Sequence, residues 1–590
     1  LETRMATISH IFRRRSRSHL RMEASGCREA PIILGRAKRR VRMGKHRLGL
    51  IMLSFTIVYL GLGARLVQYG LATPEITNSI NAIPPPAARP DIIDRNGELL
   101  ATDLNMMSLY AEPIRIVDAD EVVEKLATVI PDLDWGTTHR KLRSKSAFQW
   151  LKRQLTPRQQ ADILALGLPG IGFRPEKRRF YPGGATASHI LGHVNVDNRG
   201  LAGMERYIDR QGLADLMTVG MTGNTPLEPV RLSIDLRVQS IVRSVIEKAM
   251  HSYHAEAAGA VVLDVHTGEI LAMASVPDYD PNQPSRMLPD GSIDTEYEKG
   301  WFNRMSNATF EMGSTIKSFT IAMGLDSGKI VLDSVVDASR PIRMGGFTIN
   351  DFHGRHRPLT VPEVFRYSSN IATVKIAEMV GIEGHKEFLT RLGLLSRLET
   401  ELPEIATPTQ PPTWKRIHSA TISYGHGMAT TPLQTAVAAA ALVNGGKLIQ
   451  PTFLARNDEE AAPASVQVLD EKASADMRHL FDWNGKTGSG RSADVPGFHV
   501  GGKTGTADKV VNGRYATDLN FNAFLGSFPM HDPRYVVLSI IDAPLTGESG
   551  RRLAAYTAAP MIKEIVSRAA PLLGVKPYFG PGQSGLLIGY

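Results

Sequence analysis

NRMSNATFEMGSTIKSF, residues 303–319, is the stretch whose reading decides the fold. Ser314 and Lys317 stand three residues apart behind Gly313, and the run after them predicts a helix over about 314–327. At i,i+3 on a helix a hydroxyl and an ammonium share one face. A serine at a helix start also lies beside backbone N–H groups that can hold an oxyanion. Serine is a poor nucleophile until a base is next to it, and lysine becomes a base when burial or a neighbouring cation lowers its pKa. The pair therefore suits acyl transfer. Alone it is a weak signal, because about one or two S-x-x-K matches arise by chance in a chain this long.

Two more short patterns follow in order. Ser368-Ser369-Asn370 comes about 50 residues on, behind a segment in which Thr360, Pro362 and Glu363 predict a capping box opening a helix over 361–379. Its serine offers a hydroxyl for proton relay, and its asparagine offers a donor and an acceptor. By itself the triplet reads more readily as a polar loop or N-cap. Lys503-Thr504-Gly505-Thr506 ends the run Phe498-His499-Val500-Gly501-Gly502. Glycines there leave a strand edge bare, so that a peptide-like ligand could lie along it as an added strand. Lys503 brings positive charge, and the threonine hydroxyls suit a carboxylate. A second copy, Lys486-Thr487-Gly488, sits in WNGKTGSGRS among turn formers and reads as surface loop.

Outward from these motifs, AAGAVVLDVHTGEILAMASVP (257–277) predicts an antiparallel hairpin, and 496–543 returns to strands. Helical stretches lie between, the last over 429–444. VRLSIDLRVQSIVRSVIEKAM opens the unit near residue 229 as a strand running into a helix. The expected class is α+β, with the first and last strands sharing one sheet. Upstream, IIDRNGELLATDL (92–104) places Asn96-Gly97 between apolar runs, a hairpin signal. Residues 120–170 look helical and 171–215 mixed, without a compact cluster of nucleophile, base and acid. That region reads as structural.

Residues 48–64, LGLIMLSFTIVYLGLGA, carry no charge and follow Lys45, His46 and Arg47. Apolar character resumes after Arg65, which can snorkel near a helix end, so one membrane span over 48–70 is expected. The basic flank puts the N-terminus in the cytoplasm and everything after about 72 outside it. A cleaved signal peptide and a buried helix are the competing readings. Residues 73–91 are Pro- and Ala-rich, an extended spacer.

The formal charge of +9 is concentrated in the tail. Residues 1–47 hold 14 Lys or Arg against three Glu, a local +11, which leaves −2 for the other 543. No nucleic-acid role is expected, since that needs a basic face on the folded part. Cys27, the single cysteine, rules out an intrachain disulfide and a cysteine metal site. The chain opens on Leu, with Met5, Met22 and Met43 as alternative starts.

As an ordered set, S-x-x-K, S-x-N and K-[ST]-G resemble the penicillin-binding proteins and serine β-lactamases. The flanks NRMSNATFEMGSTIKSF, FRYSSNIATVKIA (365–377), SYGHGMATTPLQTA (423–436) and VGGKTGTAD (500–508) resemble class B penicillin-binding proteins. PDIIDRNGELLATDL and YPGGATASHILGHVNVDNRGLAGMERYID resemble their non-catalytic pedestal. Length, basic tail and flanks look most like the septal cell-division type, penicillin-binding protein 3, of Gram-negative bacteria.

The resemblance implies an α+β transpeptidase fold, an antiparallel sheet with helices on both faces and a helical subdomain. The implied order is basic cytoplasmic tail 1–47, transmembrane helix 48–70, spacer 71–88, pedestal 89–225, transpeptidase domain 229–565 and Gly/Pro-rich tail 566–590. It implies a D,D-transpeptidase that cross-links peptidoglycan stem peptides, is inhibited by β-lactams, and uses no metal or cofactor. Ser314 would attack the carbonyl between the two terminal D-alanines, with Lys317 as general base. The N–H groups of Ser314 and Thr506 would form the oxyanion hole. Ser368 and Lys503 would relay the proton to departing D-alanine, and Asn370 would orient Lys317 and the substrate amide. Ser369, Thr504, Gly505 and Thr506 would bind substrate. Implied partners are the membrane and division-complex membrane proteins, including a glycan polymerase. Met312 and Ser318 stand where the family often has proline, and neither position supplies a reacting group. About 140 residues between 89 and 229 are too few for a glycosyltransferase domain. Alternatives are an elongation-type transpeptidase, a β-lactamase, a β-lactam sensor and a non-catalytic division scaffold.

Overall fold

The computed structural model describes residues 50–65, 89–213, 227–288, 292–511, 513–546 and 551–579. The chain divides into two compact units, Leu1–Ile83 and Pro84–Tyr590. Within the first, residues 50–65 are helical with exposed apolar side chains. At 1.5 Å per residue that is about 24 Å. Among the described residues no helix is long and apolar enough to cross a membrane. The rest of the expected 48–70 span, the basic tail and the spacer up to 88 lie outside the described residues.

The second unit opens with the expected hairpin, Ile92–Ile93 against Leu99–Ala111, turning at Gly97 with φ +94°. Asp94 holds it by accepting from the backbone N–H groups of Asn96 (2.7 Å), Glu98 (2.8 Å) and Leu236 (3.0 Å). The last of these ties the turn to the helix Leu236–Ser252. Ile92 and Ile93 also pair in parallel with Val230 and Arg231, so the pedestal and the following domain share a strand ladder.

Leu99–Ala111 pairs antiparallel with both Ile171–Phe180 and Gln149–Leu155. The second pairing corrects the expectation of helix from 120 to 170. Helices Ala119–Val129, Trp135–Leu142 and Pro157–Ala165 do form, each capped at its start by Asp118, Asp134 or Thr156. QWLKRQL between them joins the sheet instead. Burial of Leu155 against Leu109 and Ile163 outweighs a local pattern that could serve either state.

The larger domain is built on one antiparallel five-stranded sheet. Its order is Gly501–Val511, Arg514–Phe528, Tyr535–Asp542, Ala257–Asp264, Ile270–Val276, so the first and last strands of the domain do meet. Alternation on these strands feeds two cores. Ala258, Ala260 and Val262 pack with Phe524, Val537 and Ile541 under helices Leu236–Ser252 and Ala558–Ala569. Val261 and Leu263 pack with Leu525, Val536 and Leu538 on the opposite face, under a helical layer that includes Lys317–Asp326 and Pro432–Ala440. A sheet covered on both faces has no polar side there, which is why Ala257–Asp264, Ile270–Val276 and Tyr535–Asp542 are buried, mostly apolar runs.

Two expectations fail at the edges of this domain. The tail placed from 566 begins inside the helix Ala558–Ala569, where Ile565, Val566, Ala569 and Ala570 are buried. Tyr578 then donates its N–H to the Gly497 carbonyl at 2.8 Å, so the chain stays packed to there. Lys486-Thr487, read as loop, closes the helix Glu471–Thr487, with Gly488 as its C-cap. Turn formers in WNGKTGSGRS mark the end of that helix rather than a loop.

Candidate active site

Gly313, at φ +53°, starts a 3-10 turn Gly313–Thr315, and the helix Lys317–Asp326 follows. Thr315 Oγ1 fastens the turn by donating to the Met312 carbonyl at 2.8 Å. Two backbones press on it. A Cβ on Gly425 would lie 1.9 Å from the Gly313 carbonyl oxygen, and one on Gly505 would lie 2.4 Å from that of Met312. Gly505 therefore lets strand and turn approach closely.

The expected 361–379 helix is two helices, Val361–Tyr367 and Asn370–Val380, and the capping box of Thr360 and Glu363 opens the first. Ser368 breaks them with a left-handed backbone, φ 57° and ψ 46°. That break aims both its oxygens at Lys317, whose Nζ lies 2.6 Å from the Ser368 carbonyl oxygen and 2.9 Å from Oγ. Lys317 is fully buried. Burial pulls its pKa well below the ordinary lysine range, the nearby Lys503 charge adds to the shift, and Asp351 opposes it. Lys503 is buried as well and is pushed down to about 7 by desolvation. Its Nζ donates to the Thr504 carbonyl at 3.1 Å.

Ser314, Lys317, Ser368, Asn370, Thr504 and Thr506 all line one cavity of about 560 Å³. Its size falls in the range of small-molecule and peptide-end sites. Along the strand Gly501–Val511, Thr504, Thr506 and Asp508 line the cavity at period two, with Ala507 between the last two. Thr504 Oγ1 donates to Ser489 Oγ at 2.8 Å, and Thr506 Oγ1 accepts from the Ala554 N–H at 3.2 Å. The three motifs, separated by up to 190 residues, thus converge on one wall. The second copy at Lys486 does not join them. Lys486 instead pairs with Asp482 one helical turn earlier, at 2.7 Å.

Two site expectations are revised. Ser369 is 1% exposed and caps the helix Asn370–Val380: its Oγ accepts from the Ala372 N–H (3.0 Å) and donates to Asp351 Oδ2 (2.8 Å). It is buried behind the helix cap and is not among the residues that line the cavity. Asn370 lines the cavity, but its Nδ2 donates to the Asn350 carbonyl at 2.8 Å, while the hydrogen bonds of Lys317 go to Ser368.

Sequence reasoning missed three elements of the site. Asp351 supports the Ser368-Ser369 corner through Ser369 Oγ and the Ile371 N–H. Ser489 partners Thr504. Glu311, His426 and Tyr515 form a third cluster: Glu311 accepts from His426 Nδ1 at 3.0 Å, from the Gly427 N–H at 2.8 Å and from the Tyr515 hydroxyl at 3.1 Å. Burial works to raise the Glu311 pKa, but these hydrogen bonds outweigh it and hold the carboxyl below the ordinary glutamate value. The run SYGHG at 423–427 was the available signal for His426. Asp351 and Ser489 carry none.

The family model described as "Penicillin binding protein transpeptidase domain" matches residues 258–566, and "Penicillin-binding Protein dimerisation domain" matches 84–223. A Caulobacter vibrioides protein named "Probable peptidoglycan D,D-transpeptidase FtsI" is 38% identical over 504 residues, 83% of this chain and 82% of that one. "Peptidoglycan D,D-transpeptidase FtsI" of Escherichia coli K12 is 28% identical, over 82% of this chain and 84% of that one. Among solved structures, the transpeptidase domain of Burkholderia pseudomallei penicillin-binding protein 3 superposes with a TM-score of 0.52 at 30% identity. It covers 59% of this chain and 98% of its own.

Proposed function

The chain belongs to the class B penicillin-binding proteins, a transpeptidase domain behind a dimerisation domain, and we infer from this that it is a peptidoglycan D,D-transpeptidase that cross-links stem peptides. The observation that carries the chemistry is the fully buried Lys317, held by Ser368 and opening with Ser314 onto one cavity. Burial and the neighbouring Lys503 charge favour the neutral form of Lys317, and a neutral amine can take a proton.

In this reading Ser314 Oγ attacks the carbonyl between the two terminal D-alanines and passes its proton to Lys317. The N–H groups of Ser314 and Thr506 hold the oxyanion. The peptide C–N bond then breaks, and D-alanine leaves with a proton delivered through Ser368 and Lys503. Thr504 and Thr506 hold the terminal carboxylate. The amine of a second stem peptide resolves the ester on Ser314. β-Lactams acylate the same serine.

The anchor and the setting are part of the proposal. Residues 48–70 span the bacterial cytoplasmic membrane once, with the basic tail inside and the catalytic domain in the periplasm. Support comes from the uncharged run 48–64 and the 14 basic residues before it. A septal role, with division-complex membrane proteins, among them a glycan polymerase, as partners, belongs to the same reading and rests on the resemblance of the motif flanks to penicillin-binding protein 3.

Labelling of the full chain in detergent with a fluorescent penicillin tests the chemistry. One-to-one labelling that survives in Lys486→Ala and is lost in Ser314→Ala is expected. Absence of label on folded wild-type protein would overturn the acyl-serine reading, and rapid release as free penicilloate would mean a hydrolase.

A further inference from the structure

The resolving step needs a proton acceptor that the acylation machinery does not obviously provide. An acceptor amine arrives as an ammonium ion and must lose a proton before its nitrogen can attack. In the reading above, the Lys317–Ser368 pair handles the proton that returns to Ser314 Oγ, and its hydrogen bonds are to each other. On the cavity wall carrying Tyr424 and His426 stands the Glu311 cluster, which has no part in the acylation chemistry given above.

We propose that His426, oriented by Glu311, is the base that receives the acceptor amine's proton during transfer. An ionised carboxylate only accepts hydrogen bonds, so the 3.0 Å contact to Glu311 Oε2 requires the proton of His426 to sit on Nδ1. Nε2 then carries the ring's lone pair, and no group among the described residues hydrogen-bonds to it. The ring lines the same cavity as Ser314. Its edge contacts with Tyr424 and Tyr515, at 5.5 and 5.9 Å between centroids, fix its plane. Glu311 lies three residues before Ser314, so the carboxylate that orients the base and the nucleophile hang from one short segment. A carboxylate behind a histidine both sets its tautomer and stabilises the imidazolium that forms.

The proton balance closes. The ammonium gives one proton to Nε2, which passes it to solvent at the open side of the cavity. The neutral amine attacks the Ser314 ester carbonyl; a C–N bond forms and the C–Oγ bond breaks. The second amine proton ends on Ser314 Oγ through the Lys317–Ser368 pair, and His426 returns neutral. Glu311, Tyr424 and Tyr515 are the titratable groups touching the ring; Lys317, Arg355, Arg366 and Asp508, with His353 and Tyr367, are the charged or titratable groups elsewhere on the wall.

The inference rests on the transpeptidase reading, and the two can fail separately. Full-length protein in detergent is acylated with N-benzoyl-D-alanyl thioglycolate in the presence of D-alanine, and amide and hydrolysis products are quantified across pH 6–10. Penicillin labelling of the same samples reports the serine chemistry independently. In His426→Gln the amide-to-hydrolysis ratio is expected to fall at least tenfold. Its remaining pH dependence should follow only the free-amine fraction of D-alanine. Glu311→Gln, which keeps a hydrogen bond but loses the charge, should fall between. An unchanged ratio in His426→Gln would overturn the proposal. So would a loss of penicillin acylation equal to the loss of transfer, which would make the cluster a structural brace for the turn.

Discussion

The Nζ of Lys317 sits between two oxygens of one residue, the carbonyl and the hydroxyl of Ser368, and only the left-handed backbone at Ser368 makes that possible. The arrangement separates holding from transfer, since the carbonyl positions the lysine and the hydroxyl can pass a proton. Ser368→Ala keeps the first and loses the second. Acylation by fluorescent penicillin, followed by stopped flow, is expected to fall about 100-fold, the scale of a general acid–base group. Thermal stability should change little. A rate within threefold of wild type would remove Ser368 from the relay.

Acylation should also depend on pH in one direction. The base must be neutral, and the neutral fraction rises as pH passes upward through the folded pKa of Lys317. Because that pKa is lowered by burial and by Lys503, the rate should rise and level off well below the ordinary lysine range near 10.5. Lys317→Arg cannot lose its proton at any such pH and should not label at all. A rising limb that ends only near 10.5 would mean that Lys317 is not depressed.

Burial of Lys503 costs the fold stability. Its pKa is about 7 in the fold, against about 10.4 in an unfolded chain. Unfolding therefore takes up a proton between those values, and the folded state loses stability as pH falls from 10 to 7. Below 7 the penalty is complete, and it is on the order of several kcal/mol. Lys503→Met removes it. Melting temperature should rise in the variant at pH 7, and the gain should shrink toward zero by pH 10, while penicillin labelling is lost. A variant less stable than wild type at pH 7 would contradict the assignment.

The parts of this site legible in the sequence were those fixed by neighbours in the chain. Ser314 and Lys317 share a turn, Thr360 and Glu363 form a local cap, and Thr504 and Thr506 share a strand face; spacing alone carries each relation. Asp351 and Ser489 act on residues 18 and 15 positions away through loops, and no period encodes that. Ser369 was misassigned because a helix cap and a substrate ligand ask for the same hydroxyl. QWLKRQL became a strand because Leu99–Ala111 offered it a ladder, a tertiary fact.

Gly505 gives a test of close packing at the motif itself. A Cβ there meets the Met312 carbonyl at 2.4 Å and Thr315 Cγ2 at 2.9 Å, both part of the turn that carries Ser314. Gly505→Ala must push strand and turn apart, and a shift of about 1 Å at reacting groups costs about 100-fold in rate. Labelling should fall by that order. Gly513→Ala is the control: its Cβ meets nothing within 4 Å, so only backbone strain at φ +76° is added and labelling should persist. Equal labelling in both variants would show that the strand can retreat without disturbing Ser314.

The pedestal has its own weak point in Glu205. Its side chain and those of Arg89 and Arg179 are all fully buried, with Oε2 accepting from Arg89 Nε at 2.8 Å and Oε1 from Arg179 Nε at 2.6 Å. Arg89 also reaches Asp209, and Arg179 reaches Asp103 and the Pro90 carbonyl. The cluster thus clasps the first described residues of the unit to its sheet. Removing the central charge leaves two buried guanidinium groups with too little counter-charge, a change of about 3–5 kcal/mol. Glu205→Gln, close in shape, should lower the first calorimetric transition of the full chain by several degrees. Penicillin acylation at 25 °C should stay within twofold, because the cavity is walled by residues from Ser314 to Ala555. The two domains nevertheless share the Ile92–Ile93 and Val230–Arg231 ladder and the Asp94 contact to Leu236. If acylation falls in step with the transition, the pedestal supports the catalytic turn through that ladder rather than standing apart from it.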